Sequence, residues 1–101
     1  MAFIKVATLA DLHDDCGHCV EVNGKRIGLY RVDGAVYAID DMCTHADASL
    51  CDGDLEGDEV VCPLHFATFN VKTGRCTAAP ADEDVATYVV RVNGEDVEVD
   101  V

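Results

Sequence analysis

Two short segments, Cys43-Thr-His45 and Cys62-Pro-Leu-His65, constrain this chain more than any other feature. Each holds one cysteine and one histidine, and sixteen residues separate them. Two thiolates and two imidazoles complete a four-ligand metal site, so the chain must fold back to bring the segments together. A structural zinc ion satisfies that count. So does a [2Fe–2S] cluster with two Cys on one iron and two His on the other. Zinc fingers usually keep one ligand type per arm, a Cys pair on a turn and a His pair on a helix. Here each arm mixes the two types, which suits a centre whose ligands go to different irons.

These residues resemble the Rieske family, and more narrowly the small Rieske ferredoxins of bacterial ring-hydroxylating dioxygenase systems. The resemblance covers the whole chain in length and layout. Its most specific part is Cys43-Thr-His45 with Cys62-Pro-Leu-His65-Phe66. It implies that Cys43 and Cys62 bind one iron through sulfur and that His45 and His65 bind the other through nitrogen. High-potential members of the family carry a disulfide between the two ligand loops. This chain has Leu64 where the second loop's extra cysteine would stand. Those members also carry a serine and a tyrosine hydroxyl that hydrogen-bond the sulfurs. The matching positions here are Ala67 and Phe69, which cannot donate. Fewer donors leave the reduced state less stabilised, so the expected potential lies at the low end of the Rieske range, near about −150 mV.

Composition narrows the class. A chain of 101 residues suffices for one domain with one small core. Half of it is hydrophobic, with no Trp, so the core must rest on Val, Ile and Leu, which favour strands. Twenty acidic against seven basic residues give a formal charge of −13. That balance argues against nucleic acid and anionic membrane as partners, and it favours solubility and charge-steered docking. Six cysteines fit a disulfide framework only in a secreted protein. The N-terminus Met1-Ala-Phe-Ile-Lys5 has neither the basic nor the apolar region of a signal peptide, and no stretch nears 18 apolar residues. The expectation is a cytoplasmic protein whose Cys/His pairs bind metal.

Along the chain, Phe3 to Ala7 reads as a strand, and Thr8 caps a helical turn with Asp11 in capping-box position. His18, Val20 and Val22 alternate with Cys19 and Glu21. Asn23-Gly24 and Asp33-Gly34 are hairpin turns joining this strand to Lys25–Val32 and then to Ala35–Ile39, a three-strand meander. Residues 46–58, with two glycines and five acids, read as turns between short strands. Glu59-Val60-Val61 delivers Cys62, and Phe66 to Val71 continues beyond the loop. Lys72-Thr73-Gly74 is a turn, and Ala78 to Ala81 is an irregular third loop. Val85 to Val92 reads as one strand, Asn93-Gly94 as a hairpin turn, and Glu95 to Val101 as a last strand with Val97, Val99 and Val101 inward. The fold expected is all-β: a Rieske-type antiparallel β-sandwich base with an inserted cluster-binding subdomain. It forms a single domain over 1–101, with the subdomain at 43–69 and the base at 1–42 and 70–101.

The resemblance implies a [2Fe–2S] electron carrier without a catalytic site of its own. It would be a monomer that takes single electrons from an NAD(P)H-dependent flavoprotein reductase and passes them to a terminal aromatic-ring dioxygenase. The alternatives are the small subunit of an assimilatory nitrite reductase and a structural zinc-binding module. Cys16 and Cys19 form a Cys-x2-Cys pair that could be a second metal or redox site, but the family has no ligand role there and incidental cysteines are the default. Cys51 and Cys76 have no partner at ligand spacing and read as small packing residues.

Overall fold

The computed structural model describes residues 2–14, 16–42, 48–63, 67–78 and 84–101. Their strands are, in chain order, β1 (Phe3–Thr8), β2 (His18–Val22), β3 (Lys25–Val32), β4 (Ala35–Asp40), β5 (Leu55–Glu56) and β6 (Glu59–Val61). There follow β7 (Thr68–Asn70), β8 (Cys76–Ala78), β9 (Thr87–Tyr88), β10 (Val90–Asn93) and β11 (Asp96–Asp100). They make three antiparallel sheets ordered β1-β11-β10, β2-β3-β4-β9 and β5-β6-β7-β8. The only helices among the described residues are single 3₁₀ turns at Leu9–Asp11 and Leu50–Asp52. None is long and apolar enough to cross a membrane.

The expected meander is present. Asn23 and Asp33, each followed by a glycine, adopt positive φ of 52° and 53°, and Gly24 and Gly34 follow at 77° and 82°. Positive φ at both central residues is the type I′ geometry that Asn-Gly and Asp-Gly favour. The first helical turn carries the expected capping box. The Asp11 carboxylate accepts the Thr8 N–H at 3.0 Å and the Thr8 hydroxyl at 3.1 Å. These bonds hold its pKa below the usual carboxylate range.

The middle sheet is buried on both faces. Ile27, Leu29 and Ala38 pack against Val97 and Val99 of the first sheet, with Val20 and Val22 at the margin. Tyr30, Val32 and Ile39 face the other way, onto Leu50, Leu55, Val60, Phe69 and Val71. The inward set on Ile27 and Leu29 was legible from alternation. The second buried face was not, because Gly28 and Tyr30 interrupt the apolar pattern.

Two expectations need correction. Val85 to Val92 is not one strand: β9 pairs with β4 in the middle sheet, while β10 pairs with β11 in the first. Val89 stands at the switch, 63% exposed, its carbonyl accepting the Asp100 N–H at 2.9 Å. A strand that changes sheets at a corner lets two packed sheets share one segment. The last hairpin turn is also shifted by one residue. Asn93 pairs with Asp96, so the two loop residues are Gly94 and Glu95, with only Gly94 at positive φ, 65°. That is the II′ pattern, which spares Glu95 a left-handed conformation.

Candidate metal centre

Of the four expected ligands, Cys62 lies among the described residues. Cys43, His45 and His65 lie outside them, as do Leu64, Phe66 and residues 79–81 of the third loop. The structure does describe the frames that carry the two ligand loops.

The second loop springs from the β6–β7 hairpin. Val61 pairs with Thr68, and the next residues inward, Cys62 and Ala67, are joined by a Cys62 N–H to Ala67 carbonyl bond of 2.7 Å. The loop therefore leaves and re-enters the sheet at fixed points. Cys62, Ala67 and Phe69 are fully buried in one apolar cluster with Leu50, Leu55 and Val60. Pro63 is exposed and restricts φ at the loop's outer limb. Gly53 fixes the position of β6 from behind. A Cβ there would lie 1.7 Å from the Val61 carbonyl oxygen, so only glycine allows the approach that sets the residue before Cys62.

The first loop is gripped at its base. Met42 bridges to Ser49, and the Leu50 N–H donates to the Asp41 carbonyl at 2.7 Å. The Asp41 side chain, 1% exposed, adds a second tie. Its Oδ1 accepts the Cys51 N–H at 2.9 Å, its Oδ2 accepts the Ser49 hydroxyl, and Arg26 Nη2 stands 3.5 Å away. Burial opposes the charge on Asp41. The Ser49 hydroxyl, the Cys51 N–H and the Cys51 and Cys19 thiols outweigh it and hold the pKa below the usual range. Both loop bases thus sit on one core, since Leu50 and Cys62 belong to the same buried cluster.

Donor chemistry fits a two-iron cluster. The expected ligand Cys62 lies in an apolar cluster at the end of a hydrogen-bonded hairpin, and the two Cys and two His of the motifs are the donor set a Rieske centre uses. Sequence reasoning missed Asp41, whose role depends on contacts ten residues away, with no local spacing to announce it. It also read Cys51 as packing. Its Sγ lies instead with those of Cys19 and the Asp41 carboxylate, all within 4.8 Å of one another. Cys16 does not join its Cys-x2-Cys partner in that group. It is exposed, and its backbone bridges to His13 and Asp54.

Comparison with known proteins agrees with this geometry. The Rieske [2Fe-2S] domain family matches residues 2–89. The ferredoxin component of a naphthalene 1,2-dioxygenase system from Pseudomonas aeruginosa is 47% identical over 81 residues, 80% of this chain and 78% of that protein. Among solved structures, the ferredoxin of carbazole 1,9a-dioxygenase from Nocardioides aromaticivorans IC177 superposes with a TM-score of 0.93 at 36% identity, covering 98% of this chain and 97% of that one. A chain from a complex of reduced oxygenase and oxidized ferredoxin in carbazole 1,9a-dioxygenase superposes at 0.90 with 35% identity, covering 96% and 91%.

Proposed function

This chain belongs to the Rieske [2Fe–2S] domain family, and we propose that within it the protein carries single electrons from an NAD(P)H-dependent flavoprotein reductase to a terminal aromatic-ring-hydroxylating dioxygenase. The observation that carries this reading is likeness to ferredoxin components of such systems, over 80% of the chain in sequence and 98% of it in fold. A structure of a related ferredoxin with its oxygenase supports the acceptor half. The donor half rests on the expected low potential. We further assign a monomeric, cytoplasmic protein with one Rieske domain over 1–101, the cluster unit at 43–69 and the base on either side.

In this reading Cys43 and Cys62 hold one iron, and His45 and His65 hold the other. The bound cluster supplies one-electron chemistry at a potential raised by two neutral imidazoles above that of an all-Cys cluster. The protein's residues set the rest. The Cys62–Ala67 clamp closes the base of the second loop, and the Asp41 network closes the base of the first. Ala67 and Phe69, buried beside Cys62, offer the sulfurs no hydroxyl, which keeps the potential low. Histidine ligands have a compact ring edge, and exposed at a surface that edge gives a partner a short electron path.

The test begins with protein purified anaerobically, assayed for iron, sulfide and zinc, with EPR after dithionite. Two irons and two sulfides per chain with a Rieske-type spectrum are expected, lost in Cys43→Ser and His65→Ala. One zinc without sulfide would make the four residues a structural zinc site and end the electron-transfer reading. Adding the loaded protein to a reductase and a ring-hydroxylating oxygenase should then restore NAD(P)H-dependent product formation. Efficient coupling to a nitrite reductase instead would redirect the partner assignment.

A further inference from the structure

We propose that Cys19, Asp41 and Cys51 form a second metal site, separate from the four cluster ligands, that takes a thiophilic divalent cation of the zinc type. Three segments converge there: β2 brings Cys19, the residue after β4 brings Asp41, and the Leu50–Asp52 turn brings Cys51. Two Sγ atoms and a carboxylate oxygen lie within 4.8 Å of one another. Ligands of a tetrahedral zinc stand roughly 3.4–3.8 Å apart, from bond lengths of about 2.3 Å for sulfur and 2.0–2.2 Å for oxygen. Small side-chain rotations therefore close the site without moving the backbone. An S₂O donor set selects zinc-like ions over Mg²⁺ or Ca²⁺, which require oxygen ligands.

The surroundings suit a loaded site. Arg26 Nη2 is 3.3 Å from Cys19 Sγ and 3.5 Å from Asp41 Oδ2. Two thiolates, one carboxylate, a divalent cation and this guanidinium together carry no net charge. The Ser49 hydroxyl lies 3.1 Å from Cys51 Sγ and also donates to Asp41, orienting two of the three ligands. A second, independent observation comes from Tyr30. It is fully buried, and its hydroxyl has no hydrogen-bond partner among the described residues. Two glycines admit it beside the trio. Gly28, directly opposite Cys19 in the β2–β3 ladder, would meet Tyr30 Oη at 2.9 Å if it had a Cβ. A Cβ at Gly17 would meet Tyr30 Cε1 at 2.6 Å and Cys51 Cα at 3.2 Å. A buried O–H without an acceptor calls for one, and a metal-bound thiolate or water supplies it.

Loading replaces two thiol protons by the cation and releases both to solvent, with no redox change. Without metal, burial pushes the Cys51 thiol pKa up, so Cys51 is a protonated, inert thiol there. The filled site would tie β2 and the end of β4 to the turn that closes the first ligand loop.

The test uses cluster-loaded protein, with iron, sulfide and zinc counted on the same sample. After a weak chelator has removed loosely held metal, Co²⁺ and Zn²⁺ are titrated in. One equivalent should bind with a thiolate-to-cobalt charge-transfer band, while the two irons and the Rieske EPR signal stay unchanged. Cys19→Ser and Cys51→Ser should abolish the band and stoichiometric binding, and Tyr30→Phe should weaken binding about 10-fold. Cys19→Ala covers the case in which the serine variants fail to load cluster. Equal binding in wild type and variants, or no band in wild type, would overturn the proposal. So would thiol counting that finds Cys19 and Cys51 joined as a disulfide.

Discussion

At the scale of single residues, contacts with backbone decide more than side-chain type. Gly53 sits where a Cβ would lie 1.7 Å from the Val61 carbonyl, and a main-chain oxygen one residue before Cys62 cannot rotate away. Gly53→Ala is expected to cost about 3 kcal/mol, the upper end for overpacking, and to lower iron per chain. Thermal unfolding and iron analysis on the same preparation check both. Unchanged stability would mean that β6 shifts freely. Phe69 and Ala67 are the residues through which the potential should be tuned. Phe69→Tyr, tested beside Ala67→Ser, should raise the potential if its hydroxyl reaches a cluster or ligand sulfur. One hydrogen bond of about 1 kcal/mol corresponds to roughly 40 mV for a one-electron couple. Spectroelectrochemistry reads the shift. A potential unmoved in both variants would show that these side chains do not face the cluster.

Elements are held by register, and the last hairpin shows how. Asn93-Gly94 is the stronger local turn signal, and as the loop it would put Val92 opposite Glu95 and Arg91 opposite Asp96. The observed pairing slides by two residues, setting Val92 against Val97, Val90 against Val99 and Arg91 against Glu98. Both registers keep the same residues inward, so alternation could not choose between them. Cross-strand partners chose. Arg91 Nη2 and Nε meet Glu98 Oε1 at 2.6 and 2.7 Å, and the guanidinium lies 4.2 Å from the centroid of the Phe3 ring. Arg91 thereby touches all three strands of the first sheet. Arg91→Ala should destabilise by about 1 kcal/mol, combining a half-exposed ion pair with a cation–π contact. Denaturant unfolding at low salt measures it, and high salt should shrink the difference by screening the ion pair. A loss that salt does not reduce would assign the effect to packing on Phe3.

For the whole molecule, the central sheet is shared by two cores, so the first and third sheets are mechanically continuous through β3 and β4. The Cys62–Ala67 and Asp41–Leu50 contacts at the bases of the two expected ligand loops therefore rest against a sheet that is buried from both sides. Around this scaffold lies a charge of −13. Encounter with a partner presenting a basic patch should be electrostatically steered. The second-order rate of electron transfer to such a partner is expected to fall at least about 10-fold between low salt and 0.5 M, because the Debye length contracts to a few ångströms. Stopped-flow mixing of reduced protein with oxidised oxygenase across ionic strength reads this directly. A flat dependence would assign the acidic surface to solubility alone.

The chain by itself determined what depends on local chemistry. Paired Cys/His arms carried the resemblance to the Rieske family that the comparisons show, Asn23-Gly24 and Asp33-Gly34 set the first two hairpins, Thr8 and Asp11 capped the first turn, and Val97 and Val99 marked an inward face. Each of these follows from a residue's own conformational preference or from a short periodic pattern. Tertiary structure decided what depends on distant partners. It split Val85–Val92 between two sheets, moved the last turn to Gly94-Glu95, and buried the second face of β3 under residues that run from Leu50 to Val71 along the chain. It drew Cys19, Asp41 and Cys51 together, because register brings Cys19 opposite Gly28 and the Asp41 hydrogen bonds bring the Leu50–Asp52 turn onto that face. Propensity acts within a few residues. Pairing and packing act across the fold, and their sum outweighs any one local preference.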